Sequence, residues 1–368
     1  MKILHVFSDW KWTGPADPML QLLLGQRERG HEVLLACPEA PPEAEGVADR
    51  ARREGVEIPL RLERARGTNP WRDRADLMQL RTLCDELRPD VLHAWHTRDH
   101  VLAWLAVGRE RVVRSYARAE RIPRWPWNRW LFGAATGALL LPARAAAEAN
   151  RTLCRGSVEA VLGAVDLDRF EPRLPDPVVL AELGLSPADR VVGVVARVQR
   201  HRRFDLLLEA MVRLARRESR ARLLVVGRGT HLDEVARRPA ERLGIADRVI
   251  FAGYRGADYV DVLRSIEIFT FLVPGSDGSC RALLEAQACG IPAVITRRGA
   301  LSEIVANGET GVLVPEDPDA LCDAWAELLA DADRRARLGR AARQRAEALF
   351  TPARLCDAVD AVYRALRG

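Results

Sequence analysis

The stretch IFTFLVPGSDGSCRALLEAQACGIPAVI, at residues 268–295, decides the fold class. Its apolar run Ile268–Leu272 predicts a buried strand, and small residues then lead into a helical pattern that ends at Gly290. A second short apolar run, Ala293–Ile295, predicts the next strand. A strand, a helix and another strand in this order predict a parallel βαβ unit with strands buried on both faces.

The same alternation runs along the whole chain of 368 residues and predicts two doubly wound parallel sheets of the α/β class. Segment 171–177 holds three prolines and predicts the linker, because proline discourages both helix and central strand. We therefore expect an N-terminal domain over 1–172, a C-terminal domain over 173–350 and a final helix over 351–368. The predicted strands are Ile3–Phe7, Val33–Ala36, Val91–Ala94, Val112–Ser115, Ala138–Leu141, Val158–Val161, Val191–Val195, Leu223–Val226, Val249–Ala252, Ile268–Leu272, Ala293–Ile295 and Val312–Val314.

The charge balance is basic and almost entirely due to arginine. The formal net charge is +5, and only Lys2 and Lys11 among the 56 basic residues are lysine. A GC-rich genome explains this pattern as well as an anionic partner does, and charge alone does not choose between them. The arginine-rich stretch 332–348 has the pattern of a solvated helix, so we expect no nucleic-acid partner.

The seven cysteines are odd in number and scattered, without a C-x-x-C pair. This pattern indicates neither a zinc site nor a disulfide framework, and it suits a reducing cytoplasm. The sequence also lacks the apolar core of a signal peptide and any apolar run of about 20 residues that could span a membrane. We expect a cytoplasmic protein.

Asp277 comes just before Gly278 and Ser279 in the turn of the opening stretch, and Glu285 lies in the predicted helix that follows. The two are eight residues apart, a little over two helical turns, so both can face one ligand. A glycine-rich turn that opens a helix presents backbone N–H groups and the positive end of the helix dipole, which suits an anion. On spacing alone, an N-cap aspartate and a surface glutamate would be the better explanation of the pair.

The full motif resembles the E-x7-E signature of the family 4 retaining glycosyltransferases, whose usual form is close to P-S-x-x-E-G-x-G-x-x-x-x-E-A-x-A-x-G-x-P. Asp277 replaces the first glutamate of that signature, and Cys280 replaces its second glycine. Further resemblances follow along essentially the whole chain. They include Arg29–Val33, Pro89–Ala94, Val165–Phe170, Leu224–Gly229, Phe251–Arg255 and Gly299–Gly311.

A second specific resemblance lies in Ala196–Asp205, which looks like the family's G-R-L-x-x-x-K-G-x-D loop. Arg197 and Arg202 occupy the positions of the Arg and Lys that bind the donor diphosphate in that family. Arg203 occupies a position that is glycine in the family. Two cations near a helix N-terminus would stabilise a departing diphosphate.

The resemblance implies the GT-B fold, in which two Rossmann-like domains face a cleft and the last helix crosses back to the N-terminal domain. It implies sugar transfer from a nucleotide-diphosphate sugar to an acceptor hydroxyl with retention, with no metal and no other cofactor. The acceptor would be a glycan or lipid-linked molecule of the bacterial cell envelope. The implied catalytic residues are Asp277, Arg197 and Arg202, and the implied donor-binding residues are Glu285, Gly278, Ser279, Cys280, Arg281, Gly253, Tyr254 and Gly14.

On the acceptor side we expect His93, His96 and Arg118. Many members of the family place a histidine where this chain has Ala117, and Arg118 is the residue that could substitute for it. The spacing of His93, His96 and His100 could suggest a metal, but they begin at a strand end without supporting cysteines, so we expect no metal site.

Segment 121–130 combines three tryptophans with three arginines. It could contact anionic lipid at the inner face of the membrane, stack on an acceptor sugar ring, or form a helix that packs its tryptophans inward. The departures from the family pattern also leave open a catalytically weakened nucleotide-binding protein or, less well matched, a nucleotide-sugar epimerase. A dehydrogenase is disfavoured because no G-x-G-x-x-G follows the first strand.

Overall fold

The computed structural model describes residues 1–12, 14–63, 70–275 and 278–367. The chain divides into two compact units. The first consists of Met1–Ala164, Ser276–Ser279 and Pro352–Gly368, and the second of Val165–Gly275 and Cys280–Thr351. The division after Ala164 comes before the proline-rich segment on which the predicted boundary at 172/173 was placed.

Within the described residues, the first unit contains seven parallel strands: β1 (Lys2–Val6), β2 (Glu32–Cys37), β3 (Glu57–Arg61), β4 (Val91–Ala94), β5 (Val112–Ser115), β6 (Ala138–Leu141) and β7 (Ser157–Ala160). Their order is β3-β2-β1-β4-β5-β6-β7. Strand β3 has no counterpart among the predicted strands, because Pro59 and the flanking charges hide its apolar side. It is an edge strand, where proline is tolerated.

The described residues of the second unit contain six parallel strands: β8 (Arg190–Val195), β9 (Ala221–Val226), β10 (Val249–Gly253), β11 (Ile268–Phe271), β12 (Ala293–Thr296) and β13 (Gly311–Val314). Their order is β10-β9-β8-β11-β12-β13, and all six correspond to predicted strands. The chain order reverses between β8 and β11, as it does between β1 and β4 in the first unit. In doubly wound sheets, ligands bind beyond the carboxyl ends of the strands at such a reversal.

Fifteen α-helices connect and cover the strands in the part of the chain that the structure describes: α1 (Ala16–Glu28), α2 (Val47–Arg53), α3 (Pro70–Leu87), α4 (Thr97–Val107), α5 (Pro126–Ala134), α6 (Arg144–Asn150), α7 (Pro177–Glu182), α8 (Phe204–Arg217), α9 (Arg238–Arg242), α10 (Tyr259–Arg264), α11 (Arg281–Ala288), α12 (Leu301–Ile304), α13 (Pro318–Ala330), α14 (Ala332–Leu349) and α15 (Pro352–Arg367). None of these helices combines the length and the apolar character that a membrane span needs.

The sheet of the first unit has an apolar core on each face. Ile3 of β1 belongs to one core and Leu4 to the other, as the two-residue alternation of a strand requires. Helices α1, α2 and α15 cover the Ile3 side, and α3 and α4 cover the Leu4 side. Helix α15 approaches α1 so closely that a Cβ on Gly25 would lie 2.5 Å from the sulfur of Cys356.

Helix α14 differs from the solvated helix predicted for residues 332–348. Arg343 donates to the carbonyl of Ala288 at the end of α11 (2.9 Å), and Arg345 donates to that of Ile304 at the end of α12 (2.7 Å). Arg335 donates to the carbonyl of Leu328 near the end of α13 (2.6 Å). Cations at helix C-termini satisfy free carbonyls and complement the helix dipole, so part of the arginine excess serves the fold.

Candidate functional site

The predicted phosphate-binding loop follows β8 in the second unit. Arg197 is exposed at the strand end, and Arg202 ends a short 3-10 turn, Arg200–Arg202. The Nη1 group of Arg202 donates to the carbonyl of Val273, 2.6 Å away, just beyond β11. Burial lowers the pKa of Arg202 from its usual 12.5, but a guanidinium stays charged in a protein. The structure therefore fixes one of the two predicted cations beside the start of the motif loop.

The motif loop packs closely on this arginine. A Cβ on Gly275 would lie 2.2 Å from Nη2 of Arg202, so a side chain at position 275 would displace the guanidinium. The buried Nε of Arg202 has no hydrogen-bond partner among the described residues. Asp277, the predicted sugar ligand, lies outside the described residues, and its role stays a prediction.

Two departures from the family pattern fall on left-handed backbone positions. Arg203 has φ 58° and ψ 43° before α8, and Cys280 has φ 54° and ψ 43° before α11. Glycine adopts this conformation without a Cβ penalty, which is a physical reason for glycine at both positions in the family pattern. This chain keeps the backbone conformation without the glycines. At Arg203, ion pairs of the side chain with Asp205 (2.9 Å) and Glu316 (2.5 Å) help to stabilise this conformation.

Glu285, the predicted ribose ligand, lies on α11 and is buried. Its Oε2 accepts a hydrogen bond from the hydroxyl of Tyr259 (2.5 Å), and its Oε1 lies 3.4 Å from Nε of Arg281. Burial and the neighbouring carboxylate raise the pKa of Tyr259 well above 10, so the phenol remains a donor. Sequence reasoning missed Tyr259, since no motif links it to Glu285. The two contacts fix the carboxylate in one orientation.

The backbone around Gly278 differs from the predicted set of free N–H donors. The N–H of Gly278 donates to the carbonyl of Ala117 (2.5 Å), within the first unit. A Cβ on Gly278 would lie 2.7 Å from both that oxygen and the nitrogen of Ala119. Glycine at position 278 therefore allows its backbone to approach the backbone of residues 117–119 closely, and its N–H already donates a hydrogen bond within the protein.

Gly253 is the last residue of β10, Tyr254 follows it, and Gly14 lies in the turn before α1. Gly253 has φ 69°, and its carbonyl accepts a hydrogen bond from the N–H of Gly227 (2.7 Å). The ring of Tyr254 is exposed, with the guanidinium carbon of Arg228 4.9 Å from its centroid. An exposed aromatic ring and a cation thus lie together where β9 and β10 end.

The first unit contains a cavity of about 70 Å³ at the carboxyl ends of β4 to β7, with α1 and α15 also contributing to its wall. Its wall is mainly apolar, with Trp95 and Leu140 among its residues. Ser115, Tyr116 and Ser279 supply its side-chain hydroxyls. Ala117, where many family members have histidine, also lines it.

Two family models match the two halves of the chain. A model described as Glycosyltransferase Family 4 matches residues 19–169, and one described as Glycosyl transferases group 1 matches residues 180–345. The chain belongs to glycosyltransferase family 4.

Curated relatives carry related names. The D-inositol 3-phosphate glycosyltransferase of Segniliparus rotundus is 37% identical over 226 residues, which cover 57% of this chain and 48% of that protein. The lipopolysaccharide core biosynthesis mannosyltransferase LpsB of Rhizobium meliloti is 29% identical over 288 residues, 74% of this chain and 79% of that protein. The chain thus spans about half the length of the first of these relatives.

A solved structure, Anabaena Alr3699/HepE in complex with UDP-glucose, matches this chain with a TM-score of 0.79 at 17% identity. The match covers 99% of this chain and 100% of that chain. At this identity the likeness shows the fold, which is GT-B.

The predicted acceptor-side histidines of this family 4 glycosyltransferase have different environments. His93 is fully buried, and its nitrogens lie 2.5 Å from the hydroxyl of Tyr363 and 2.7 Å from Oγ of Ser115. Its ring stacks against those of His5 (centroids 4.9 Å apart) and Trp95 (4.8 Å apart). Because the ring is fully buried, an acceptor cannot contact it, and the structure does not support the predicted contact. His93 instead positions Ser115 through their hydrogen bond.

Of the other two predicted acceptor-side residues, His96 is half-buried and Arg118 is exposed. His96 precedes α4, and its Nδ1 lies 3.1 Å from the buried carboxylate of Asp99, which also accepts the backbone N–H of His96 (2.8 Å). Burial opposes the charge of Asp99, but the contacts with His96, a hydrogen bond with Ser8 and the charge of Arg114 together outweigh it and lower the carboxyl pKa. Arg118 is exposed beyond β5. No three His, Cys, Asp or Glu side chains among the described residues are grouped so that they could hold a metal.

Proposed function

We propose that this family 4 glycosyltransferase moves a sugar from a nucleoside-diphosphate sugar to a hydroxyl of a glycan or lipid-linked acceptor, with retention and without a metal. The observation that carries the proposal is the fixed guanidinium of Arg202. It lies against Gly275 at the start of the motif loop, where the strand order of the second unit reverses. The UDP-glucose bound to the Anabaena protein supports a donor of this class.

The name of LpsB supports a place in the assembly of the bacterial cell envelope. We propose that the protein acts in the cytoplasm, in peripheral contact with the inner face of the membrane. A lipid-linked acceptor would be presented at that surface. The donor, which is soluble, would arrive from the cytoplasm.

Charge stabilisation is the main chemical task in this reaction. As the bond from the anomeric carbon to the diphosphate breaks, negative charge grows on the leaving phosphate. Arg202, together with the exposed Arg197, would stabilise that charge, and a guanidinium already held in place needs little reorganisation. A phosphate oxygen of the donor would accept the proton of the acceptor hydroxyl, so no strong protein base is needed.

Donor positioning would depend on two carboxylates. The carboxylate of Glu285, oriented by Tyr259, would accept hydrogen bonds from the ribose hydroxyls. Asp277 would hold hydroxyls of the transferred sugar. In the first unit, the cavity with Ser115 in its wall would receive part of the acceptor, with its apolar wall against an apolar group.

Thermal unfolding with UDP, GDP and ADP tests the donor site. A nucleotide at 100 times its Kd should add about 2.7 kcal/mol to the free energy of unfolding, and so raise the Tm. The Arg202→Gln variant should lose most of that rise, whereas Arg340→Gln, an exposed arginine of α14, should keep it. No rise with any of the three nucleotides would refute the donor site.

Turnover is tested separately, with a panel of UDP-, GDP- and ADP-sugars. We expect slow hydrolysis of at least one donor, undiminished by EDTA. The anomeric configuration of the first-formed product, followed by NMR, should match that of the donor. Inversion, or a requirement for a divalent ion, would refute the corresponding part of the proposal.

A nucleotide-binding protein with weakened catalysis is the second candidate. It is favoured by Ala117, which leaves a methyl group in the cavity wall where many family members have histidine. This candidate predicts a Tm rise with nucleotide but no donor hydrolysis. It also predicts that Ala117→His restores hydrolysis, whereas an active transferase turns over without that change.

A further inference from the structure

The exposed large apolar side chains of the first unit are not scattered. Among its described residues they all lie on or directly before three helices, α3, α4 and α5: Trp71, Met78, Leu105, Trp125, Trp127 and Trp130. Helices α3 and α4 cover the same face of the sheet. The rings of Trp104 on α4 and Trp130 on α5 meet at 4.9 Å, which joins α5 to that layer. Exposed large apolar side chains gathered on neighbouring helices in this way indicate an interaction surface.

The tryptophans at α5 form the centre of this surface, and they do not pack inward. Trp125 is 71% exposed and Trp127 is 52% exposed. The ring of Trp127 lies 5.0 Å from that of Trp130, so the two form one projecting aromatic group. We call Trp125, Trp127, Trp130 and the exposed Leu105 the tryptophan surface.

The segment that carries the three tryptophans of this surface is basic. Residues 116–134 contain four exposed arginines and a single carboxylate, that of Glu120. The arginines are Arg118, Arg121, Arg124 and Arg129. Indole rings favour the depth of lipid headgroups, and arginines beside them attract anionic headgroups. We propose that the tryptophan surface binds an anionic lipid bilayer.

The inner side of α5 connects this surface to the cavity. Phe132 is buried, and its ring lies 5.8 Å from that of Tyr116, which lines the cavity wall. This pair of side chains therefore links the helix on the membrane to the cavity wall. This inference deepens the proposed function, on which it rests for the membrane contact and the lipid-linked acceptor, but bilayer binding itself needs no transferase activity.

Sedimentation with vesicles tests the proposal on the full chain. The wild-type protein should sediment with vesicles of phosphatidylglycerol and phosphatidylcholine in equal parts, and much less with phosphatidylcholine alone. The Trp125→Ala/Trp127→Ala variant leaves the Trp104–Trp130 contact intact. It should bind the anionic vesicles at least about tenfold more weakly, because two large apolar side chains no longer leave water.

The charge contribution has its own variant. Arg121→Gln/Arg129→Gln should weaken binding to anionic vesicles by about fivefold for each arginine, and high salt should remove that difference. Matched controls are Leu174→Ala for the tryptophans and Arg337→Gln/Arg340→Gln for the arginines, all exposed positions of the second unit. The controls should bind like the wild type.

Three outcomes would overturn the proposal. The first is wild-type protein that binds neither kind of vesicle. The second is a tryptophan variant that binds as tightly as the wild type while showing the same thermal unfolding. The third is a wild-type dimer in analytical ultracentrifugation that the tryptophan variant abolishes, since the surface would then join two copies. Donor hydrolysis measured without lipid tests the proposed function independently of all three.

Discussion

Cys280 offers a sharp test of how the motif loop is built. It is buried, it precedes α11, and its φ of 54° places it in the left-handed region. A residue with a Cβ in that region costs about 1–2 kcal/mol, a penalty that glycine does not carry. The backbone at position 280 should therefore prefer glycine over alanine, the opposite of an ordinary helical position.

The magnitude follows from two opposing effects. Glycine relieves the strain of about 1–2 kcal/mol, but its greater backbone freedom in the unfolded chain costs about 0.5–1 kcal/mol. Cys280→Gly should thus be more stable than Cys280→Ala by about 0.5–1 kcal/mol. Both variants lack the thiol, so their difference isolates the backbone. At Ala336, exposed within α14, Ala336→Gly should instead lower stability by about 1 kcal/mol.

Differential scanning calorimetry of the three variants and the wild type measures both differences. In a unit of this size 1 kcal/mol shifts the Tm by about 2–4 °C, so the two cysteine variants should differ by about 1–4 °C. The control at Ala336 should shift the Tm in the opposite sense. Equal stability of Cys280→Gly and Cys280→Ala, or a more stable alanine variant, would refute the left-handed assignment.

Three further changes probe other parts of the molecule. Gly278→Ala would force a Cβ to within 2.7 Å of the carbonyl of Ala117, and it should cost about 1–3 kcal/mol by denaturant titration. Arg343→Ala should cost about 1.5–3 kcal/mol in the same assay, because the carbonyl of Ala288 loses a charged donor, and Arg343→Lys should recover only part. Burial lowers the pKa of His5 to about 3, so the unfolded chain binds its proton first as the pH falls. The contribution of His5 to the free energy of unfolding should be fully present above about pH 6.5 and should fall by about 2 kcal/mol by pH 5. The Tm of the His5→Gln variant should therefore decline less steeply over the same pH range.

The strands could be predicted from sequence because they are buried on both faces. Runs such as Val191–Val195 are apolar throughout, and their burial needs no knowledge of the neighbours. Strand β3 could not be predicted, since an edge strand with one covered side needs few apolar residues. The helix-capping arginines of α14 were also hidden, because the carbonyls they satisfy belong to helices distant in sequence.

A residue of the candidate site could be predicted only where a motif identifies it and the fold positions its side chain at that site. Arg202 and Glu285 lie where the pattern indicates, on the loop after β8 and on α11. His93 belongs to an equally recognisable pattern, yet its side chain points into the core. Sequence patterns record residue type and spacing, whereas exposure depends on which element covers the strand end. For His93 that element is α15, which supplies Tyr363 from a distant part of the chain.

The departures from the family pattern do not all have the same meaning. Replacing glycine with Arg203 and Cys280 suggests a damaged loop in the sequence, yet both residues keep the left-handed conformation that glycine would adopt. Their cost is one of stability, and in the case of Arg203 ion pairs offset part of it. Ala117 is different, because no conformational reason accounts for the loss of an imidazole from the cavity wall. Any loss of catalytic power in this chain should therefore be sought at Ala117 and Asp277, since the other two departures preserve the geometry that holds Arg202 and Glu285.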